Sequence, residues 1–326
     1  MLTSPFPWFG GKSRVADVVW DAFGAVTNYV EPFFGSGAVL LARPEPWSGS
    51  ETVNDRDGFV SNFWRAVAAD PEQVWRHADW PVNENDQHAR HLWLVKRRAT
   101  LTARLEGDPS YFDAQIAGWW VWGICVWIGA GWCSGNGPWT DDESGKLVHL
   151  GTAGQGIHRK RVHLGTAGQE DGNGSGGGLA WMEALAERLR RVRVCCGDWS
   201  RVCGPAPTVT RGLTGVLLDP PYSGDERDSG LYSVDSNTVA ADVRRWALEW
   251  GDDERMRIAL CGYDTEHDMP GWTSYAWRPI GGYGSQGNGR GRANAGREVV
   301  WFSPHCLLVS RTPLFTDALD DEEAEA

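Results

Sequence analysis

Over its first sixty residues the chain alternates short apolar runs with glycine turns and helix-spaced apolar positions, the pattern of strand–helix units. Residues 28–34 read as a strand, Gly35-Ser36-Gly37 as a turn, and residues 38–42 as the apolar start of a helix. Residues 51–54 read as a second strand ending at Asp55. Phe59, Phe63, Trp64 and Val67 then fall on one face of a helix. The alternation stops near residue 70 and returns at Leu179. Met182, Leu185, Ala186 and Leu189 mark an amphipathic helix over residues 181–191, and a second helix is predicted over 238–250. Further strands are predicted at 192–196, 215–218, 257–261, 274–277 and 299–302. The economical summary is an α/β fold, a doubly wound and mostly parallel sheet with helices on both faces, interrupted by one mainly helical insertion.

The insertion is placed between Ser61 and roughly Gly178. Residues 115–140 carry no charge and include Trp119, Trp120, Trp122, Trp127, Trp132 and Trp139. A membrane span needs about twenty apolar residues, and glycines and polar residues break this run by Gly129, so it reads as a buried helix entering a loop. His-Leu-Gly-Thr-Ala-Gly-Gln occurs twice, at 149–155 and 163–169, too brief a period for a solenoid. It reads as a local duplication in a surface loop. Residues 171–178 beyond it read as a flexible connector.

Composition alters this picture in two places. The 326 residues, 41% hydrophobic and 23% charged, suit one core domain with a large insertion in a folded, soluble protein, read as cytoplasmic because no signal peptide is visible at Met1–Lys12. The net charge of −12 argues at first against a nucleic-acid partner. Six acids and no base, however, stand in residues 317–326, a solvated tail. Basic clusters stand at Lys96-Arg97-Arg98, His158-Arg159-Lys160-Arg161, Arg188–Arg193, and Arg290 with Arg292, and a local basic stripe matters more to DNA than the sum. Arg188–Arg193 reads as a solvated helix face. The seven cysteines lack paired Cys-x-x-Cys spacing and no His follows at zinc-ligand distance, so they read as reduced thiols with no metal site.

The candidate chemistry sits at Asp219-Pro220-Pro221-Tyr222, delivered by the apolar run 213–218. Open α/β sheets bind ligands at the carboxyl ends of strands. The two prolines fix the backbone and remove two amide donors, leaving carbonyls free to accept. An adenine amine offers two hydrogens. If the Asp219 carboxylate and the Pro220 carbonyl take one each, the nitrogen lone pair localises and can attack a methyl sulfonium, with Tyr222 stacked on an extruded base. An ordinary Asp-Pro-Pro turn explains the tetrapeptide alone equally well.

Other motifs precede it. Trp8-Phe9-Gly10-Gly11-Lys12-Ser13-Arg14 is no phosphate loop, because Phe6 stands where that motif needs its first glycine and no strand precedes it. Glu31-Pro32-Phe33-Phe34-Gly35-Ser36-Gly37 is a strand-to-helix turn whose glycines admit close backbone approach. Asp55 after Asn54 suits either a carboxylate gripping a ribose diol or a helix N-cap. Asp198, in Gly197-Asp198-Trp199, stands at another strand end where an acid and a ring would suit the adenine of a cofactor.

In this order the motifs resemble the Dam-type (class alpha) DNA adenine N6-methyltransferases. That family places a Trp-x-Gly-Gly-Lys segment first, then Glu-Pro-Phe-x-Gly-x-Gly, an acid at the next strand end, an inserted target-recognition domain, and Asp-Pro-Pro-Tyr. The resemblance covers about two-thirds of the chain. It implies a methyltransferase sheet binding S-adenosyl-L-methionine, with Trp8, Lys12, Asp55 and Asp219 contacting it and Glu31, Gly35 and Gly37 lining its pocket, Asp198 being a weaker carry-over. It implies Asp219, Pro220, Pro221 and Tyr222 as the catalytic set. Residues 1–60 and 179–310 would form the catalytic domain, 61–178 the recognition domain and 311–326 an acidic tail. Residues 281–294 and 297–301 are similar to the family's late hairpin and final strand. The partner implied is double-stranded DNA, with no membrane, no metal and a monomeric protein. Departures cluster in the insertion, so no target sequence transfers. Arg159, Lys160 and Arg161 suit phosphates, or a solvated loop. Residues 223–235 suit a loop closing over the base, or a surface loop. Cytosine N4 methylation and a catalytically silent DNA-binding protein of the same fold remain as alternatives. The aspartate of Asp219-Pro220-Pro221-Tyr222 favours adenine by the resemblance alone.

Overall fold

The computed structural model describes residues 2–8, 11–127, 132–133, 139–141, 147–149, 176–222, 238–277 and 297–307. The duplicated segments, the clusters at 158–161 and 290–292, the loop 223–235, the hairpin 281–294 and the acidic tail lie outside these residues, apart from His149 at the start of the first duplicated segment.

Seven strands form one sheet: β1 (Asn28–Glu31), β2 (Ser50–Asp55), β5 (Val192–Cys196), β6 (Thr214–Leu218), β7 (Met256–Tyr263), β8 (Thr273–Trp277) and β9 (Glu298–Phe302). Their spatial order is β5-β2-β1-β6-β7-β9-β8. Pairing is parallel from β5 to β7, and β9 runs antiparallel to both β7 and β8. The two remaining strands, β3 (Trp139–Asp141) and β4 (Leu147–His149), pair antiparallel in the insertion. The helices are α1 (Ala16–Phe23), α2 (Ala38–Leu41), α3 (Gly58–Ala69), α4 (Pro71–Ala78), α5 (Glu84–Val95), α6 (Arg98–Gly107), α7 (Ala114–Val126), α8 (Gly176–Leu189) and α9 (Val239–Trp250), with short 3-10 turns at Lys12–Arg14, Trp199–Val202 and Val209–Arg211. The expected doubly wound α/β sheet is present.

The alternation of strand side chains divides the core in two. Tyr29, Val53, Leu217, Ala259, Cys261, Val300 and Phe302 join a large cluster with α1, α3, α4, α7 and α8. Val30, Val216, Leu218, Ile258, Leu260, Val299 and Trp301 join a second cluster with α9. Strands buried on both faces need continuous apolar runs, and β6 and β9 are buried at every position. The same parity carries Glu31, Asp55, Asp219 and Glu298 onto the face of the first cluster.

Up to Val126 the tryptophan-rich run is buried helix, as expected, and residues 128–131 and 134–138 of it lie outside the described residues. Trp120 and Trp122 are buried within α7, while Trp127 caps it and stacks on His91 at 5.4 Å. Among the described residues no helix is long and apolar enough to cross a membrane.

Two expectations need correction. Residues 176–178 are the first turn of α8 and not a connector: Gly178 lies so close to the Trp75 ring of α4 that a β-carbon would collide with it. Arg188 is not on a solvated face. Its guanidinium grips Glu51, buried in β2, at 2.7 and 2.9 Å, and Arg43 approaches the same carboxylate at 2.9 Å. A buried carboxylate demands such partners, and this need overrides the amphipathic pattern of α8.

Candidate active site

The strand order reverses between β1 and β6, because the chain proceeds outward from β1 through β2 and from β6 through β7. A crevice at the carboxyl ends of those two strands is where doubly wound sheets hold ligands. β1 ends at Glu31 and β6 delivers Asp219, so two of the sequence motifs flank this point.

The turn after β1 is shaped by its glycines. Gly35 and Gly37 have φ values of 49° and 69°, a left-handed conformation that disfavours side chains. The indole of Trp8 lies against the Cα of Gly35, leaving no room for a β-carbon. The Gly35 carbonyl accepts from Trp64 Nε1 at 2.9 Å, and its amide donates to Asp55 Oδ2 at 2.9 Å. Asp55 Oδ1 accepts from the Asp57 amide at 2.8 Å. The α3 N-cap is Asp57, which accepts from the Phe59 amide, so the capping explanation of Asp55 does not apply. Burial, with repulsion from Asp57, lifts the Asp55 carboxyl to about 7, against the pull of the Gly35, Asp57 and Arg56 amides.

Beside this turn, Glu31 accepts from the Tyr29 hydroxyl at 2.8 Å. Burial pushes its carboxyl well above the usual range, and the Asp219 and Asp55 charges add to the shift. Asp198 stands apart. It is exposed and caps the 3-10 turn Trp199–Val202 by accepting from the Ser200 amide and hydroxyl, while Trp199 stacks on Phe33 at 6.2 Å.

At the end of β6, Lys12 Nζ lies 2.9 Å from Asp219 Oδ2 and donates to the Tyr222 hydroxyl at 3.2 Å. That hydroxyl donates to Glu298 Oε2 at 2.7 Å, with Asp219 Oδ1 3.4 Å away. The Lys12 ammonium also sits 5.5 Å from the Trp277 ring, and Tyr222 packs edge-on against Tyr263 at 4.7 Å. Lys12 is 5% exposed. Burial alone would lower its pKa, yet the Asp219 and Glu298 carboxylates outweigh burial and hold the ammonium charged. One cation divided between two carboxylates does not fully offset their desolvation, so Asp219 and Glu298 both titrate above the usual range.

The structure thus gathers Trp8, Gly35 and Asp55 in one cradle, and Lys12, Asp219 and Tyr222 in one polar cluster, with Glu31 coupled electrostatically to both. From the sequence, no site role fell to Glu298, Trp277, Tyr263 or Cys261, the last a buried thiol pushed well up by burial beside Asp219. The signal was present in the strand alternation, since Glu298, Val300 and Phe302 share a face, but only the antiparallel reversal of β9 brings Glu298 to the carboxyl ends. Among the described residues, no group of three or more His, Cys, Asp or Glu is arranged to hold a metal ion.

Residues 8–99 match the family model of the D12 class N6 adenine-specific DNA methyltransferases. That segment contains Trp8, Lys12, the Glu31–Gly37 turn and Asp55, and the match agrees with the resemblance to Dam-type adenine methyltransferases drawn from the motif order. No curated protein matches the chain at a significant level.

Proposed function

From the match of residues 8–99 to the D12 class N6 adenine-specific DNA methyltransferase model, we propose that the chain transfers a methyl group from S-adenosyl-L-methionine to the N6 amine of adenine in double-stranded DNA. The observation that carries this reading is the pairing of Lys12 with Asp219 at 2.9 Å, which joins the first motif of the chain to the last.

The cofactor fits the residues present. The glycine turn leaves a cradle that a β-carbon would fill at Gly35, and the Asp55 carboxylate beside it suits a ribose diol. Trp8, Glu31 and Gly37 line the same crevice, and Asp198, at the end of β5, is assigned a subsidiary contact. When bound, this group supplies an electrophilic methyl sulfonium. The chain does the rest by positioning and charge. Asp219 and the Pro220 carbonyl each accept one hydrogen of the base amine, localising its lone pair. Pro221 keeps the backbone rigid, and Tyr222 offers its ring to the extruded base. Lys12 favours the ionised form of Asp219, against the burial that raises its pKa.

We assign residues 1–60 and 179–310 to the catalytic domain, 61–178 to target recognition and 311–326 to the tail. The N6 position is favoured over cytosine N4 because the matched family is adenine-specific. Incubation with labelled S-adenosyl-L-methionine and mixed DNA, then nucleoside analysis, tests the reading. Label on N6-methyladenine is expected, and label on no base would overturn it. Retained transfer by Asp219→Ala would overturn the site.

A further inference from the structure

Glu298 lies in the final-strand segment 297–301, to which the resemblance gives no site role, and its carboxylate reaches the centre of the polar cluster. Three independent features of the fold bring it there. β9 runs antiparallel to β7, so its first residue pairs with Tyr263, the last residue of β7, at the carboxyl end of the sheet. Strand parity turns the side chain to the face that carries Asp219. On the other side Glu298 pairs with Trp277, the last residue of β8, whose ring packs near the Lys12 ammonium.

The contacts made there are specific. Glu298 is 5% exposed and accepts the Tyr222 hydroxyl hydrogen at 2.7 Å. A tyrosine hydroxyl has one hydrogen, and the alternative acceptor, Asp219 Oδ1, is 3.4 Å away. Glu298 therefore claims that hydrogen and leaves the Asp219 carboxylate for Lys12 and for a substrate amine. The Lys12 ammonium donates to the oxygen of the same hydroxyl at 3.2 Å. The tyrosine ring is thus fixed at both ends, by two hydrogen bonds at the hydroxyl and by Tyr263 at its edge. Burying a carboxylate on the last strand of the sheet is costly, and neutral packing would serve the fold as well.

We infer that Glu298 is a positioning residue of the transfer centre, holding the Tyr222 ring in the orientation that receives the base and keeping the tyrosine hydroxyl off Asp219. This rests on the methyltransferase reading above, and it gives a role to a residue to which that reading assigned none.

The test is steady-state methyl transfer from labelled S-adenosyl-L-methionine by the full chain, with Glu298→Ala, Glu298→Gln, Tyr222→Phe and the Tyr222→Phe/Glu298→Ala pair. Glu298→Ala is expected to lower kcat roughly ten- to a hundredfold, as misplacement of a reacting group does, with the KM for the methyl donor nearly unchanged. Glu298→Gln, which still accepts the hydroxyl hydrogen, is expected to recover most of that loss while melting at a similar temperature. With Tyr222→Phe there is no hydroxyl to hold, so adding Glu298→Ala should cost little more. Transfer by Glu298→Ala within about twofold of the natural chain, a Gln variant as slow as Ala, or an undiminished Ala effect beside Tyr222→Phe would each overturn the inference. Should the natural chain itself label no base, the methyltransferase reading falls and the positioning role falls with it. That outcome is distinct from an active natural chain that is indifferent to Glu298.

Discussion

Lys12 Nζ lies 2.9 Å from Asp219 Oδ2, although one residue stands in the first motif of the chain and the other directly follows a central strand. The contact means that the ionisation of Asp219 depends on Lys12. Burial favours the neutral carboxyl, and the adjacent ammonium is the largest influence opposing it. If transfer needs the ionised form, removing the cation moves the requirement to higher pH. Lys12→Met is therefore expected to shift the acidic limb of the pH–rate profile upward and to lower the plateau. An unchanged acidic limb would show that Asp219 does not titrate in the reaction.

The cofactor cradle makes a separate pH prediction. The Asp55 carboxyl titrates at about 7, raised above the ordinary value by burial. A raised carboxyl in the folded state binds a proton that the unfolded chain has already released. This group's contribution to the stability of the ligand-free protein is thus full at low pH and is lost as pH rises towards 7. Binding of a diol to the ionised carboxylate runs the other way. Affinity for S-adenosyl-L-methionine, followed by calorimetry, should fall as pH drops below 7, by up to about tenfold per pH unit for a single proton. Asp55→Asn should bind weakly and without that step. A wild-type affinity that is level from pH 5 to 8 would remove Asp55 from the diol contact.

How much of this was legible beforehand follows from where the partners lie. The strand-end motifs at Glu31, Asp55 and Asp219 were visible because each closes an apolar run, and the sheet order then places them together. The place of Glu298 in the site was not legible because it opens the apolar strand 298–302, and nothing local indicates that this strand runs against its neighbours. Arg188 was misread for a related reason. In a charged amphipathic helix it resembles every other surface arginine, and its partner Glu51 is 137 positions away on β2. Local pattern reports periodicity; it does not report which charge a distant strand will bury.

That arginine carries the next prediction. Glu51 is fully buried and is held by Arg188 and Arg43, which also donate to the carbonyls of Leu40 and Val26. Together they tie α8 to β2 and to the segments flanking β1. Removing one member of a buried ion cluster leaves uncompensated charge, at a cost of about 3–5 kcal/mol. Glu51→Ala should lose stability on that scale in urea unfolding, far more than Glu187→Ala, whose pairing with Arg190 is exposed. Equal losses for the two variants would mean that the cluster contributes no more than a surface pair.

The helical layer offers a prediction in which two similar substitutions differ in sign. Gly118 lies inside α7 where that helix crosses α4, and a β-carbon there would sit 2.6 Å from the Val74 carbonyl oxygen and close to His77. Backbone cannot yield as a flexible side chain does. Alanine would otherwise be favoured over glycine within a helix by roughly 1 kcal/mol. Against that gain stands overpacking, typically about 1–3 kcal/mol, and the spreading of α4 from α7. Gly107, at the end of α6, has nothing within 4 Å of a β-carbon, so there only the helix preference acts. Gly118→Ala should lower the melting temperature and Gly107→Ala should leave it level or raise it. If both variants melted above the natural chain, α4 and α7 would not approach as closely as Gly118 allows, and the layer that carries the tryptophan-rich helix would have to be repacked.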